Sequence, residues 1–518
     1  MILLSGSKER LSSNRLINIL FFILFIFYLF EGVFWVLFGN VWTDENWIFA
    51  RSYLVTKGKL PYRDFFDHHQ PLVSLVHALF QYLFGPSLFV GRATSFLFTF
   101  LTIILTCSIA SKLAGKKAGI LVLVLHMLNL HSFYYATTMS AHSIEIFLVV
   151  FAVYSLMSKL KKPLNYILSV AVMSLANCVK NLASPWIWVL LLFIIVKERR
   201  NPKIIFYSLF TAIAVMGLVS TPFIIIGKEK FFFGVIWLLM RGYKSTTLSR
   251  LDQILYLVPV IQNYFLMYLL LPAFLIYAWL KRDRSRKVLS YLAQHDIITL
   301  ISLMVIAWFP LTFLWRENVP PIYWAYYYPL VTLLLAVGII KLFESLIDNA
   351  SKIFFKILIT LLILLTPFLQ PDLWKLLNIQ WQRRELLSIY KVAKSIDKYT
   401  QKDTKVFTFT PAFAAQADRQ TLPGMEFDMY SYYPSLEIER CKRLGLLNAQ
   451  ILIDYLNKKE AGILVLTQFR FFEPRGAAAV IEHDLPQIIK VIDANYYLKE
   501  KLTFADIFRG DVYIYLPR

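Results

Sequence analysis

Two adjacent carboxylates, Asp44 and Glu45, stand in the run Val41-Trp42-Thr43-Asp44-Glu45-Asn46-Trp47, directly after the first membrane-length apolar stretch of the chain. A charge beside hydrocarbon is unfavourable, so an acidic pair at a membrane edge is a functional candidate by default. A carboxylate placed there can take a proton from a hydroxyl, pair with a cation, or cap the helix that follows, for which Thr-Asp-Glu is a reasonable start. Neighbouring residues on a helix point about 100° apart, so the two acids are not expected to share one task. Asp67-His68-His69 offers metal-ligand types, although adjacent histidines without a spaced partner are a weak motif and solvated loop histidines are the plainer reading. Lys180 falls in a tight turn between two apolar stretches, where an idle charge is not expected.

The elements that must position these groups are membrane helices. Of 518 residues, 58% are hydrophobic and only 17% are charged, which excludes an ordinary soluble globular protein. The three cysteines, Cys107, Cys178 and Cys441, have no metal spacing and an odd count, which argues against a disulfide framework or a zinc site. The stretch from about Leu16 to Phe38 is long enough to span a bilayer, which needs about 20 residues, and no small-residue cleavage site follows it. Further spans are expected to begin near Leu88, Ala118, His142, Leu164, Pro185, Ile204, Val258, Ile297, Tyr323 and Ile353. The expected fold class is therefore mainly α, a polytopic bundle of about eleven transmembrane helices.

Lysine and arginine alternate along the chain as cytoplasmic loops require. With the N-terminus inside, the inner loops carry Lys112, Lys116 and Lys117; Lys159, Lys161 and Lys162; Lys197, Arg199, Arg200 and Lys203; and Lys281 to Lys287. The short outer turns are nearly bare. The net charge of +21 then reflects orientation and contact with anionic membrane lipid, and no nucleic-acid partner is needed to explain it. By the same alternation the loop holding Asp44 and everything after about Pro371 lie outside the cytoplasm. Within the first outer loop, Leu72, Val73, Leu75, Val76, Leu79, Phe80, Leu83 and Phe84 recur at helical spacing with Ser74, His77, Ala78 and Gln81 between them, which predicts a helix in the interface plane begun by Pro71. Residues 1–370 are read as the membrane domain and 371–518 as a small α/β domain. The latter has strands near Lys405–Thr410, Gly462–Leu466 and Asp511–Tyr515 and helices near Arg384–Lys398 and Leu447–Lys458, with no active-site motif.

The order Asp44-Glu45, Ala50, Gly58, Pro61-Tyr62, Asp64, Pro71-Leu72, Phe84-Gly85 and Gly91-Arg92 resembles the start of the GT-C glycosyltransferases of the protein O-mannosyltransferase and aminoarabinose transferase branch. The resemblance covers roughly Trp42 to Trp186. It implies a GT-C-like bundle in the inner (plasma) membrane that moves a sugar from a polyprenyl-phosphate-linked donor to a hydroxyl of a lipid, glycan or protein acceptor. Under it, Asp44 is the expected general base, and Glu45 pairs a cation or gives solvated support. Lys180 and Arg92 are the expected donor-phosphate ligands, with Arg241 and Lys244 as weaker ones; for Arg92 the alternative is snorkelling to headgroups. Tyr62, His68, His69 and Tyr326 are candidate substrate contacts, and the run Tyr323 to Tyr328 otherwise reads as an aromatic belt.

A Lys of the aminoarabinose branch is replaced here by Gln70, and the second acidic residue usual in the next outer loop has His142 and Glu145 as its nearest counterparts. A divalent cation is an open expectation, with Glu45, His69 and Glu145 as candidate ligands. Two other classes fit a polytopic basic chain: a flippase or transporter of lipid-linked sugars, and a non-catalytic membrane scaffold. Transporters tend to show internal repeats and midplane charges. Here the notable charges gather at the outer rim.

Overall fold

The computed structural model describes residues 5–238, 262, 296–313, 322–346, 349–370, 385–474, 476–507 and 510–518. Helix α1 (Ser5–Phe38) ends at a short extended link, and α2 (Thr43–Thr56) starts on Trp42. Then come α3 (Leu72–Phe84), α4 (Leu88–Ala114), α5 (Lys116–Met127), α6 (Leu130–Thr137), α7 (Ala141–Leu156), α8 (Leu164–Val179), α9 (Ser184–Lys197) and α10 (Pro202–Gly227). The membrane part closes with helices Asp296–Phe313, Ile322–Ser345 and Asn349–Leu369. Their starts follow the apolar periodicity closely; the span expected near Val258 lies outside the described residues.

Among the described residues, four helices are long and apolar enough to cross a membrane, within Arg15–Phe38, Leu88–Ala114, Pro202–Gly227 and Tyr327–Ser345. The pair α5–α6 makes a fifth if taken as one span, although it bends by 79° at a break the apolar run does not announce. Broken backbone inside a bundle survives only where other groups satisfy it. Here the Asn129 side chain accepts from Ser132 N at 2.7 Å, and the Gln370 amide accepts from Leu130 N at 2.8 Å and donates to Leu128 O at 2.5 Å. Helices α7, α8 and α9 have 16, 16 and 14 residues, short of the roughly 20 that a perpendicular span needs.

Helix α3 has its amphipathicity turned inside out. Val73, Ser74, His77, Ala78 and Gln81 are buried, while Leu79, Tyr82, Leu83 and Phe84 are exposed. The polar stripe is therefore the one that meets the protein: Gln81 Nε2 donates to Ser52 Oγ at 2.7 Å, and Ser74 Oγ to Asp67 Oδ2 at 3.1 Å. The outward face is as apolar as an interfacial helix requires.

Residues 385–518 form helices around a five-stranded mixed sheet of order β2-β1-β3-β5-β4, with β1 (Lys405–Phe407), β2 (Gln420–Thr421), β3 (Ile463–Thr467), β4 (Tyr496–Leu502) and β5 (Val512–Pro517). Strand β1 runs parallel to β2 and β3, whereas β5 is antiparallel to β3 and β4. Three of these strands match the β-rich runs of the sequence. Strand β4 was not legible because Lys499, Glu500 and Lys501 interrupt its apolar pattern on an exposed edge. One hydrophobic cluster joins Trp47, Phe49, Tyr53 and Phe66 to Phe413, Phe427, Leu447 and Ile463, so α2 and the C-terminal sheet share a core.

Candidate active site

The first turn of α2 separates the acidic pair. Glu45 closes a capping box, its Oε2 accepting from Trp42 N at 2.7 Å. The same carboxylate takes Arg92 Nε at 2.8 Å, Arg92 Nη2 at 2.7 Å and Met139 N at 2.7 Å, and both side chains are buried. Arg92 spends its other donors on Val36 O, Gly39 O and Asn40 O at 3.2, 2.8 and 2.8 Å, so all five N–H groups of the guanidinium face protein acceptors. Glu45 therefore pairs a cation, one of its two expected roles, and does not stand in solvent; the expectation for Arg92 is corrected, since its guanidinium is turned inward and neither snorkels nor keeps an N–H for phosphate.

Asp44 points another way. It is half-buried and forms no ion pair among the described residues. Burial lifts its carboxyl above the ordinary range, opposed by the charges of Lys180 and Arg51. Lys180, at the C-cap of α8, is half-buried and likewise without a carboxylate partner among the described residues; its Nζ lies 3.1 Å from His142 Nε2 and 5.5 Å from the Tyr323 ring. An ammonium with an imidazole and an aromatic face for neighbours is positioned to meet an anion.

Arg51, which the sequence reading passed over, sits beneath the same site. It is fully buried, ion-pairs with Asp67, donates from Nε to Trp47 O at 3.1 Å, approaches His69 Nδ1 at 3.4 Å and lies 4.3 Å over the Trp47 ring. His69 stacks on Trp47 at 4.8 Å, and His68 lies against Phe427 at 4.2 Å. Burial, then the neighbouring His68, Lys180 and Arg51 charges, hold the His69 imidazole well below its ordinary value and so neutral. Tyr62 is buried with a left-handed backbone, φ 64°, and its hydroxyl donates to His69 O. It braces the histidine loop and is closed to substrate, contrary to expectation.

Ligand atoms of Asp67, His68 and His69 lie within 4.8 Å of one another, and two imidazoles with a carboxylate are a reasonable donor set for a transition metal. The carboxylate is already engaged by Arg51, by Ser74 Oγ and by His69 N at 2.9 Å. Arg51 and His69 N occupy Oδ1 and Ser74 occupies Oδ2, so the triad is a candidate metal site set beside a buried guanidinium. Glu45 and Glu145 are not members of the cluster. Arg241 and Lys244 lie outside the described residues, as does the side chain of Tyr326. Tyr323, Tyr327 and Tyr328 are buried inside the bundle, with Tyr323 5.6 Å from the His142 ring, so these three rings do not form an aromatic belt.

The C-terminal part reaches the site as well. Phe427 packs on Trp47 at 5.2 Å and stands 5.3 Å from the Arg51 guanidinium; Tyr430 is half-buried beside Phe427 at 5.4 Å, and the Asp44 charge is among its neighbours. The only sequence signal was an acidic and aromatic run, Met425 to Tyr433, unusual in an otherwise ordinary α/β segment.

No family model matches the chain, and no curated protein matches it in sequence. Solved structures do share its fold. A crystal structure of ArnT, an aminoarabinose transferase, from Cupriavidus metallidurans bound to undecaprenyl phosphate superposes with a TM-score of 0.61 at 13% identity, covering 95% of this chain and 98% of that one. Its apo state gives 0.61 at 12% identity, over 95% and 97%. The archaeal oligosaccharyltransferase AglB from Archaeoglobus fulgidus, in complex with an inhibitory peptide and a dolichol-phosphate, gives 0.52 at 11% identity, over 95% and 74%. Over nearly its whole length, this multi-pass membrane chain has the fold of the GT-C glycosyltransferases.

Proposed function

We propose that the chain is an integral membrane glycosyltransferase that moves a sugar from a polyprenyl-phosphate donor to an acceptor hydroxyl at the outer face of the membrane. The observation that carries this reading is the half-buried Asp44 carboxylate, which faces the Lys180 charge and stays outside the clamp that consumes Glu45. Asp44 accepts the acceptor's proton as its oxygen attacks the anomeric carbon. Lys180, seconded by His142, receives the negative charge that the departing phosphate gains. A single displacement opposite the phosphate inverts the anomeric centre. The displacement itself can proceed with these side chains, and Asp67, His68 and His69 are the residues that would hold a divalent cation if one takes part. About eleven spans, a cytoplasmic N-terminus and an extracytoplasmic segment 371–518 complete the reading, on the alternation of basic loops.

The deciding experiment is turnover of a polyprenyl-phosphate sugar by the purified protein in detergent, where no membrane separates two sides. Release of polyprenyl phosphate with sugar on an acceptor is the expected result. Donor binding without any turnover, across lipid, glycan and peptide acceptors, would leave a transporter or scaffold and sink the proposal.

A further inference from the structure

Asn46 stands two residues after Asp44 in the first turn of α2 and is fully buried, yet neither end of its amide serves that helix. Its Nδ2 donates to Asp428 Oδ2 at 3.1 Å, and its Oδ1 accepts from Ala412 N at 2.9 Å, one of the orphan donors at the start of the short helix Pro411–Gln416. Both partners belong to the C-terminal part, 382 and 366 positions away. Asp428 is itself held. Arg470 Nη2 lies 2.7 Å from Asp428 Oδ2, both side chains are buried, and Met429 N donates to Asp428 Oδ1 at 2.6 Å. The backbone at Asp428 has φ 56° and ψ −154°, a conformation L residues rarely adopt, which persists only where the surroundings impose it.

Docking alone does not call for this network. Phe427 against Trp47 and His68 already supplies an apolar contact, and a buried ion pair is a weaker source of stability than well-packed apolar groups. What the network adds is direction. Two opposed hydrogen bonds on one amide fix the rotation of the first turn of α2, and that rotation sets where Asp44 points, while Glu45 between them is anchored on the opposite side by Arg92. We infer that Asn46, Asp428 and Arg470 are positioning residues that aim the Asp44 carboxylate, so that the C-terminal part is a component of the active site. The inference rests on the proposed role of Asp44.

The test uses the full-length protein and has two arms. In the kinetic arm, Asn46→Ala and Arg470→Gln should lower kcat about 10- to 100-fold, leave the donor KM within about twofold, and displace the acidic limb of the kcat/KM profile; Arg470→Lys should recover part of the loss. If Arg470→Gln fails to fold because Asp428 is left charged and buried, the paired variant Asp428→Asn with Arg470→Gln removes both charges and reads the same quantities. The second arm needs no turnover. The three native cysteines are buried, so a spin label on Asp44→Cys is selective. Its spectrum should be immobilised in the parent and become mobile with Asn46→Ala. A folded variant set with wild-type kcat and pH profile overturns the inference, as does a label whose mobility ignores Asn46. A wild type without turnover, with a label that does respond, would instead count against the enzyme reading and leave the aiming network standing.

Discussion

The two sides of the first turn of α2 make an instructive contrast. Glu45 and Asp44 are neighbours in sequence with the same charge, and the fold gives them opposite environments. On the Glu45 side, carboxylate and guanidinium saturate one another and the α1–α2 link, leaving no open valence. Asp44 forms no ion pair among the described residues, and burial raises its carboxyl pKa against the charges of Lys180 and Arg51. On the proposed function, the saturated acid holds structure and Asp44 is the one left for chemistry. The same division separates the cations, since Arg92 and Arg51 each pair with a buried carboxylate whereas Lys180, among the described residues, has no carboxylate partner and lies beside an imidazole and an aromatic ring.

The largest effects test that division directly. Asp44→Asn should cut turnover by about 10²–10⁴-fold, with expression and thermal stability unchanged or slightly improved. The sign follows from the raised carboxyl: the folded state holds the proton more tightly than the unfolded one, so ionisation at neutral pH opposes folding, and the neutral amide removes that penalty. A stable Asp44→Asn protein with normal turnover would reduce Asp44 to a helix cap. Arg92→Ala should have the reverse weighting, a loss of about 3–5 kcal/mol in stability because Glu45 is left buried and charged, with the residual folded protein losing far less turnover than Asp44→Asn. Melting curves alongside specific activity separate the two, and equal loss of both quantities in both variants would erase the contrast.

Smaller effects sharpen it. Lys180→Ala should weaken donor use about ten- to a hundredfold, the range of one charge-assisted hydrogen bond, with acceptor KM unmoved; an effect confined to the acceptor would remove Lys180 from the phosphate. The kcat/KM profile should lose activity on acidification at a higher pH than an ordinary aspartate dictates, since the base must be ionised and its carboxyl is raised. Tyr62→Phe, which removes a single hydroxyl bond to His69 O, should lower stability by about 1 kcal/mol and leave turnover alone.

Helix starts, the amphipathic helix Leu72–Phe84 and three strands were readable because each rests on local periodicity. Leu88, Leu164 and Leu72 open elements where apolar spacing says they should. What could not be read is pairing. Nothing near Arg92 in the chain names Glu45 as its partner 47 positions earlier, and Arg51 looked like an ordinary residue in an unremarked stretch until Asp67 closed on it. The contribution of Phe427, Asp428 and Arg470 was invisible for the same reason: their neighbours in space are hundreds of residues away. The sense of α3 was ambiguous because a stripe pattern states that a helix has two faces and leaves open which one meets the protein.

The contact of Trp47 with Phe427 carries a consequence in time. Protein synthesis delivers the acidic pair among the first fifty residues and the ring that covers Trp47 only near the end, after most of the chain has emerged. Until then Trp47, His68 and Asn46 present an unfilled face. A nascent or prematurely terminated chain thus leaves that face uncovered beside Asp44, the kind of transiently exposed surface that makes incomplete chains prone to aggregate.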